Sequence, residues 1–408
     1  MNKNKLKQNN IPNGWQLVSF RDVFNRLTER NIELNKNTLT ISAQLGLINQ
    51  EEFFNKKIAI GNLSNYFLLR KGDFAYNRSY SSGYPVGAIK RLNLYEKGIV
   101  SSLYFCFSPI NKVESDYLEY YFDSGVFNKE IKKIAQEGAR NHGLLNMSIN
   151  DFFDTKLIIP PANEQLRIVN TLDVWSDHVE KIKKLIRIKK NIRNGLIQQV
   201  LTGKIRSSQF TSKWKYQYFN DLLVEHGKKS NGDEEVYSVS VNKGLVNQIE
   251  HLGRSFSAET TLHYNLVQPG DVVYTKSPTG KFPFGIIKQS KIDKNVIVSP
   301  LYGVFTPKHK NMGLLLDAYF SSPINALNYL TPLIQKGAKN TIAITNKTFL
   351  SSGLFLPTDK KEIDLIADAF SVADAEINEL EKKLDFIVKQ KKFLLNNLIT
   401  GAIRTPEK

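Results

Sequence analysis

A chain of 408 residues exceeds what one ordinary core organises, and its 41% hydrophobic and 23% charged residues are those of a globular protein. No run of about 18 apolar residues exists to cross a bilayer, no apolar segment follows the basic opening MNKNKLKQNN as a secretory signal requires, and the lone Cys106 fits a reducing cytoplasm rather than a disulfide framework. The formal net charge of +17, from 56 Lys and Arg against 39 Asp and Glu, points to a polyanion, nucleic acid first, although a Lys- and Asn-rich proteome also yields basic chains.

In chain order, the first 150 or so residues predict a mixed region with much β. NGWQLVSFRDVF opens it, and DFAYNRS and GIVSSLYFCFS are short strands rich in Val, Ile, Tyr and Phe. Gly72 and Asp73 form a turn feeding the strand that follows: Gly supplies positive φ and Asp bonds its own backbone. Cys106 falls in a strand pattern and reads as core rather than nucleophile. A helical stretch is expected at DYLEYYFDSGVFNKEIKKIA.

After IPPANEQ the pattern changes to heptads. Ile168, Leu172, Trp175, Val179, Ile182, Ile186, Leu196 and Val200 step by fours and threes, with Lys189 and Arg193 interrupting. Pro161 before and Gly203 after are the punctuation of one long helix of roughly 40 residues, about 60 Å.

The chain then repeats itself. Trp15 recurs as Trp214, Gly72 as Gly270, Asp73 as Asp271, Tyr76 as Tyr274, Ser79 as Ser277, Pro85 as Pro283, Gly87 as Gly285 and Lys90 as Lys288. IVSSLYFCFSP is answered by IVSPLYGVFTP, EGARN by KGAKN, and LTGKIR by ITGAIR. A period this long means two similar domains rather than a solenoid. A second helical stretch is expected at LLLDAYFSSPINALNYLTPLI, and a second heptad seam at Ile366, Phe370, Ile377, Leu380, Leu384, Ile387, Leu394 and Leu398, interrupted by Lys391. Each helix is acidic early (Asp173, Asp177, Glu180; Asp364, Asp368, Asp374) and basic late (Lys189, Lys190, Arg193; Lys389, Lys391, Lys392), which sets acid against base in an antiparallel pair and also suits any helix dipole. The fold class expected is α+β: a tandem, pseudo-two-fold repeat of two globular α/β domains separated by two long helices forming an antiparallel coiled coil.

Catalytic motifs do not appear. PTGKFPFG and LTGKIRSS lack the spacing of a phosphate loop, no H-E-x-x-H or G-x-S-x-G occurs, and His142, His178, His226, His251, His263 and His309 are not spaced as metal ligands. This moves the weight from an enzyme to a binding protein.

With IIPPANEQLRIVNTLD leading into a long helix, NGLIQQVLTGKIR and NNLITGAIR closing the two helices, and the GD…Y…S…G and V-S-x-L-Y segments duplicated, the chain resembles the specificity (S) subunits of type I restriction-modification systems over its full length. The second copy, LPTDKKEIDLI, departs by lacking the second Pro and the EQ of the first. The resemblance implies residues 1–160 as a first target-recognition domain, 161–206 as a first conserved helix, 207–357 as a second target-recognition domain and 358–408 as a second helix. Each domain would read half of a bipartite target in double-stranded DNA, with the helices setting the unread gap. The chain would be non-catalytic and without a cofactor of its own. It would dock two methyltransferase (M) subunits and, through them, restriction (R) subunits, the partners using S-adenosylmethionine, ATP and magnesium. Lys189, Arg193 and Lys391 would leave helix surface for those partners. A cytoplasmic location and no membrane contact follow.

Shared residues of the two loops are scaffold on this reading, and DNA contacts belong to what differs or lies at loop tips. The candidates are Arg78, Ser79, Tyr80 and Tyr84 in the first loop, Lys276, Ser277 and Lys281 in the second, and Arg140, Asn141, His142, Lys339, Asn340 and Thr341 in the GARNH and GAKNT segments. Two other readings remain open: a self-sufficient DNA-acting enzyme, and a stand-alone structural or regulatory DNA-binding protein.

Overall fold

A computed structural model describes residues 11–42, 44–55, 63–80, 83–110, 113–135, 145–249, 261–336 and 342–406. The chain divides into two compact units, Met1–Ile182 with Lys383–Lys408, and Lys183–Lys382.

In the first unit the alternating aromatic runs form an antiparallel four-stranded sheet, in the order Phe24–Leu27, Phe105–Pro109, Phe74–Asn77 and Ala88–Arg91. Phe20, Phe24, Phe74, Phe107, Phe127 and Phe152 fill one core, with Phe20 and Phe24 ring centroids 4.6 Å apart. The expected helical stretch is two helices, Ser115–Asp123 and Asn128–Ile134, because the Ser124–Phe127 turn interrupts it. Cys106 sits in a strand at 2% exposure, and burial pushes its thiol well above the usual range, so it is protonated core.

The second unit has the same order of strands: Leu223–Glu225, Gly303–Pro307, Val272–Tyr274 and Ile287–Gln289. Its helices Lys310–Phe320 and Pro323–Leu330 again replace one expected stretch; Ser322 caps the second helix with Pro323 in its first turn. Phe219, Phe305, Phe320, Tyr329 and Phe349 build its core, with Phe219 stacked 4.7 Å from Tyr329. In both units the first strand pairs with the last before the long helix: Gln16–Ser19 with Lys156–Ile159, and Lys215–Tyr218 with Gly353–Leu356.

The two long helices are Ala162–Leu201 and Lys360–Ile399. The first ends at Gly203, whose φ of +70° lets its N–H reach the Val200 carbonyl while the Lys204 N–H reaches that of Gln199. Gly401 closes the second in the same way, its N–H donating to the Leu398 carbonyl. Of the heptad residues, Ile168, Leu172, Val179, Ile182, Ile186, Ile366, Phe370, Ile377, Ile387 and Leu398 are buried, and Trp175, Leu196, Val200, Leu380, Leu384 and Leu394 are half-buried. In the first unit Ile168 and Leu172 share a core with Leu398 and Ile399; in the second, Leu196 and Val200 pack with Ile366 and Phe370.

The interrupting cations make contacts within their own unit. Arg193 donates to Asp374 at 2.6 Å and Lys189 pairs with Glu376, while Lys391 lies 5.9 Å from the centroid of the Tyr120 ring. All three are engaged within the chain and remain partly exposed. Burial alone would raise the pKa of Asp374, but Arg193 and Lys291 together hold it below its ordinary value.

A correction concerns the corner the two copies were expected not to share. Glu164, 2% exposed, accepts from Trp15 Nε1 at 3.0 Å and from Arg404 Nε and Nη2 at 2.6 and 2.7 Å. Glu362, also 2% exposed, accepts from Trp214 Nε1 at 3.0 Å and from Arg206 Nε and Nη2 at 2.6 and 2.8 Å. The acid of EQ is therefore retained as Glu362; only the Gln is replaced, by Ile363. A buried carboxylate needs such charge-assisted donors, which explains the matched Trp and the terminal Arg of both TGxIR closures.

Candidate nucleic-acid interface

Each central hairpin presents one loop. In the first unit Tyr76, in strand Phe74–Asn77, is buried and donates from its hydroxyl to the Val86 carbonyl at 2.6 Å, tying the two ends of the loop together. In the second unit Tyr274 does the same to the Phe284 carbonyl at 2.8 Å. Gly87 and Gly285 are fixed by crowding: a Cβ on Gly87 would stand 2.1 Å from the Asn77 carbonyl oxygen, and one on Gly285 would stand 2.7 Å from the Lys276 nitrogen. Asp73 and Asp271 accept the backbone N–H groups of Arg70 and Gln268, each at 2.7 Å, closing the turn that feeds the strand. Burial raises the Asp73 pKa. Lys90 pairs with Asp123 and Lys288 with Asp317, pinning the return strands. Every one of these repeated residues is thus held inside the frame.

Between those fixed ends lie the candidates. Arg78 is half-buried, stacks 4.4 Å from the Phe105 ring centroid and donates through Nη2 to the Leu103 carbonyl at 3.2 Å. Burial lowers its pKa, and its Nε has no hydrogen-bond partner among the described residues. The Ser79 N–H donates to Asn77 Oδ1, Tyr80 is 65% exposed, and the half-buried Tyr84 ring lies 5.8 Å from Lys90 Nζ.

In the second unit Lys276 takes a φ of +60°, uncommon for a residue with a side chain. Burial lowers its pKa as well. Ser277 is exposed, and a two-residue turn closed by paired bonds between Thr279 and Phe282 puts Lys281 at an exposed tip, while Phe282 is buried beneath it. Lys276, Ser277, Pro278 and Pro283 form one wall of a cleft of about 640 Å³, closed by Pro300, Leu301, Ile344, Thr345 and Asn346. Thr345 caps the helix Asn346–Leu350 by accepting the Thr348 N–H, which fixes that wall.

Cations on a loop beside a cleft of polar, proline and exposed apolar groups can hold phosphates and reach base edges. Arg140, Asn141, His142, Lys339, Asn340 and Thr341 lie outside the described residues. Sequence reasoning missed Leu103, Leu301, Thr345 and Asn346 as neighbours of the loops. The repeated V-S-x-L-Y carried the signal for the two leucines, but its strand pattern concealed it. Among the described residues no group of three or more His, Cys, Asp or Glu could hold a metal ion, and no helix is long and apolar enough to cross a membrane.

No family model matches the chain. The chain is similar to the type I restriction enzyme MjaVIII specificity subunit of Methanocaldococcus jannaschii, at 23% identity over 337 residues covering 76% of each protein. Its fold is similar to the crystal structure of the S subunit of a type I restriction-modification system from M. genitalium, with a TM-score of 0.52 and 13% identity over 98% of each chain. It is also similar to a chain from a structural study of complex assembly and conformational transition of the type I restriction-modification system, with a TM-score of 0.57 and 13% identity over 96% of this chain and 99% of that one. The resemblance read from the sequence is therefore met both by a curated relative and by fold.

Proposed function

We propose that this chain is the DNA sequence-recognition subunit of a type I restriction-modification complex. The observation that carries the reading is likeness to specificity subunits over most of the chain, joined to a pair of equally framed loops whose exposed residues differ. Residues 1–160 and 207–357 are target-recognition domains in a tandem repeat, each reading one half of a bipartite duplex target. Residues 161–206 and 358–408 form an antiparallel coiled coil that sets the unread gap and docks two methyltransferase subunits, with restriction subunits bound through those. The buried heptad residues and the ion pairs of Arg193 and Lys189 support that pairing.

DNA contacts lie in the loops that the matched frames hold: Arg78, Ser79, Tyr80 and Tyr84 in one, Lys276, Ser277 and Lys281 in the other, with Arg140, Asn141, His142, Lys339, Asn340 and Thr341 as further candidates; sequence is read by those of them that differ between the loops. Chemistry belongs to the partners, which would use S-adenosylmethionine, ATP and magnesium in the cytoplasm. The test is copurification with the methyltransferase subunit of the same host. A stable complex that methylates DNA, with neither component methylating alone, is the expected result; methyl transfer or cleavage by this chain alone would overturn the reading.

A further inference from the structure

Most residues shared by the two units are buried, and packing explains them. Of those exposed in both, such as Pro85 and Pro283 or Ile205 and Ile403, one pair is a large apolar side chain standing beside the loop cations: Leu103 and Leu301. In the turn Ser101–Tyr104 the Tyr104 N–H donates to the Ser101 carbonyl at 3.0 Å and the Leu103 N–H to Ser101 Oγ at 3.3 Å. The turn Ser299–Tyr302 repeats both bonds at the same lengths, from Tyr302 and Leu301. Where the copies differ, Ser102 against Pro300, the position is the second of the turn, which Pro suits. Tyr104 and Tyr302 pack partly buried against the smaller core of their unit, so the turn is anchored from within and the leucine faces out. Leu103 is 59% exposed and Leu301 73%.

A leucine held at a turn tip contributes little to folding, since its side chain stays in water. Its surroundings supply the reason for it. The Leu103 carbonyl holds the Arg78 guanidinium, and Leu301 lines the cleft beside Lys276 and Ser277. Both leucines thus stand next to a loop cation, on a chain of net charge +17, which favours double-stranded DNA as what covers them.

We propose that Leu103 and Leu301 are apolar contacts on double-stranded DNA that do not depend on its sequence, an inference that rests on the recognition role above. Apolar side chains pack against bases and sugars in DNA grooves, while the neighbouring cation takes the phosphate. The same side chain on the same turn in both units cannot tell two different half-sites apart. It adds affinity for any duplex and leaves the choice of sequence to the loops that differ.

The test compares the full chain with L103A, L301A and the double variant, assembled with the methyltransferase subunit. The probes are the duplex found methylated in the host and one with both halves scrambled. Each single substitution should weaken binding to both duplexes by about tenfold, the double by about a hundredfold, with the preference between duplexes and the salt dependence unchanged. L103Q and L301Q should behave alike, and thermal unfolding of all variants should stay close to the wild type because both side chains are mostly exposed. Wild-type affinity in the variants, or a loss confined to the target duplex, would overturn the inference alone. A wild-type complex that does not prefer the target would overturn the recognition role, and this inference with it.

Discussion

The hydroxyls of Tyr76 and Tyr274 each cross a hairpin to a carbonyl at the far end of its loop, so the repeat spends its shared residues on holding loops shut. Y76F and Y274F should each cost about 1 kcal/mol, read by thermal unfolding, because a carbonyl loses its partner. The clamp at the helix starts is worth more. E362A removes the carboxylate from the Arg206 guanidinium, which keeps the Ser212 carbonyl, and leaves the Trp214 N–H without its acceptor; it should cost about 2–3 kcal/mol, discounted because Arg206 can turn partly to solvent. At the interface, K276A should weaken binding to all duplexes and lower the salt slope by about 1 if its ammonium meets a phosphate. An unchanged slope would instead make Lys276 a base contact or no contact at all.

Among the elements, the long helix Lys360–Ile399 carries a pH signature in the second unit. The Asp374 pKa in the folded chain lies below its ordinary value of 3.8, held there by Arg193 and Lys291 against the effect of burial. A depressed carboxylate stabilises the fold above its unfolded pKa and loses that contribution as pH falls through the folded one. Acid should therefore weaken the wild type below about pH 4 more steeply than D374N, which begins weaker at neutral pH; equal acid slopes would contradict the pairing. At the hairpins, G285A forces a Cβ against the Lys276 backbone at a φ of +100°. It should impair recognition of one half-site while leaving the first unit's reading intact, as judged by methylation of targets altered in one half at a time.

For the whole molecule, much of the architecture was legible. Heptad spacing gave helices of the observed length, since apolar residues every three or four positions have no other use, and the Pro and Gly at their ends fixed the boundaries. The matched Tyr, Gly and Asp could be read as scaffold because their chemistry is local to one hairpin. The Glu164 clamp was not legible: its partners Trp15 and Arg404 stand far along the chain, and its copy is hidden by the change from NEQ to KKEI. Nor was the outward leucine, because V-S-x-L-Y alternates as a strand does, whereas the Ser101 and Ser299 bonds bend it into a turn.

The central claim is that two differing loops on matching frames select one split DNA sequence for a partner to modify. Single-molecule sequencing of methylated bases tests it most directly, in a host expressing this chain with its methyltransferase and in the same host lacking only this chain. The account predicts a motif of two short halves around a gap of fixed length, methylated on both strands only when the chain is present. Removing a heptad from each long helix should shorten that gap by on the order of 2–3 base pairs. Methylation unchanged by loss of a folded, expressed chain that forms the complex would contradict the account.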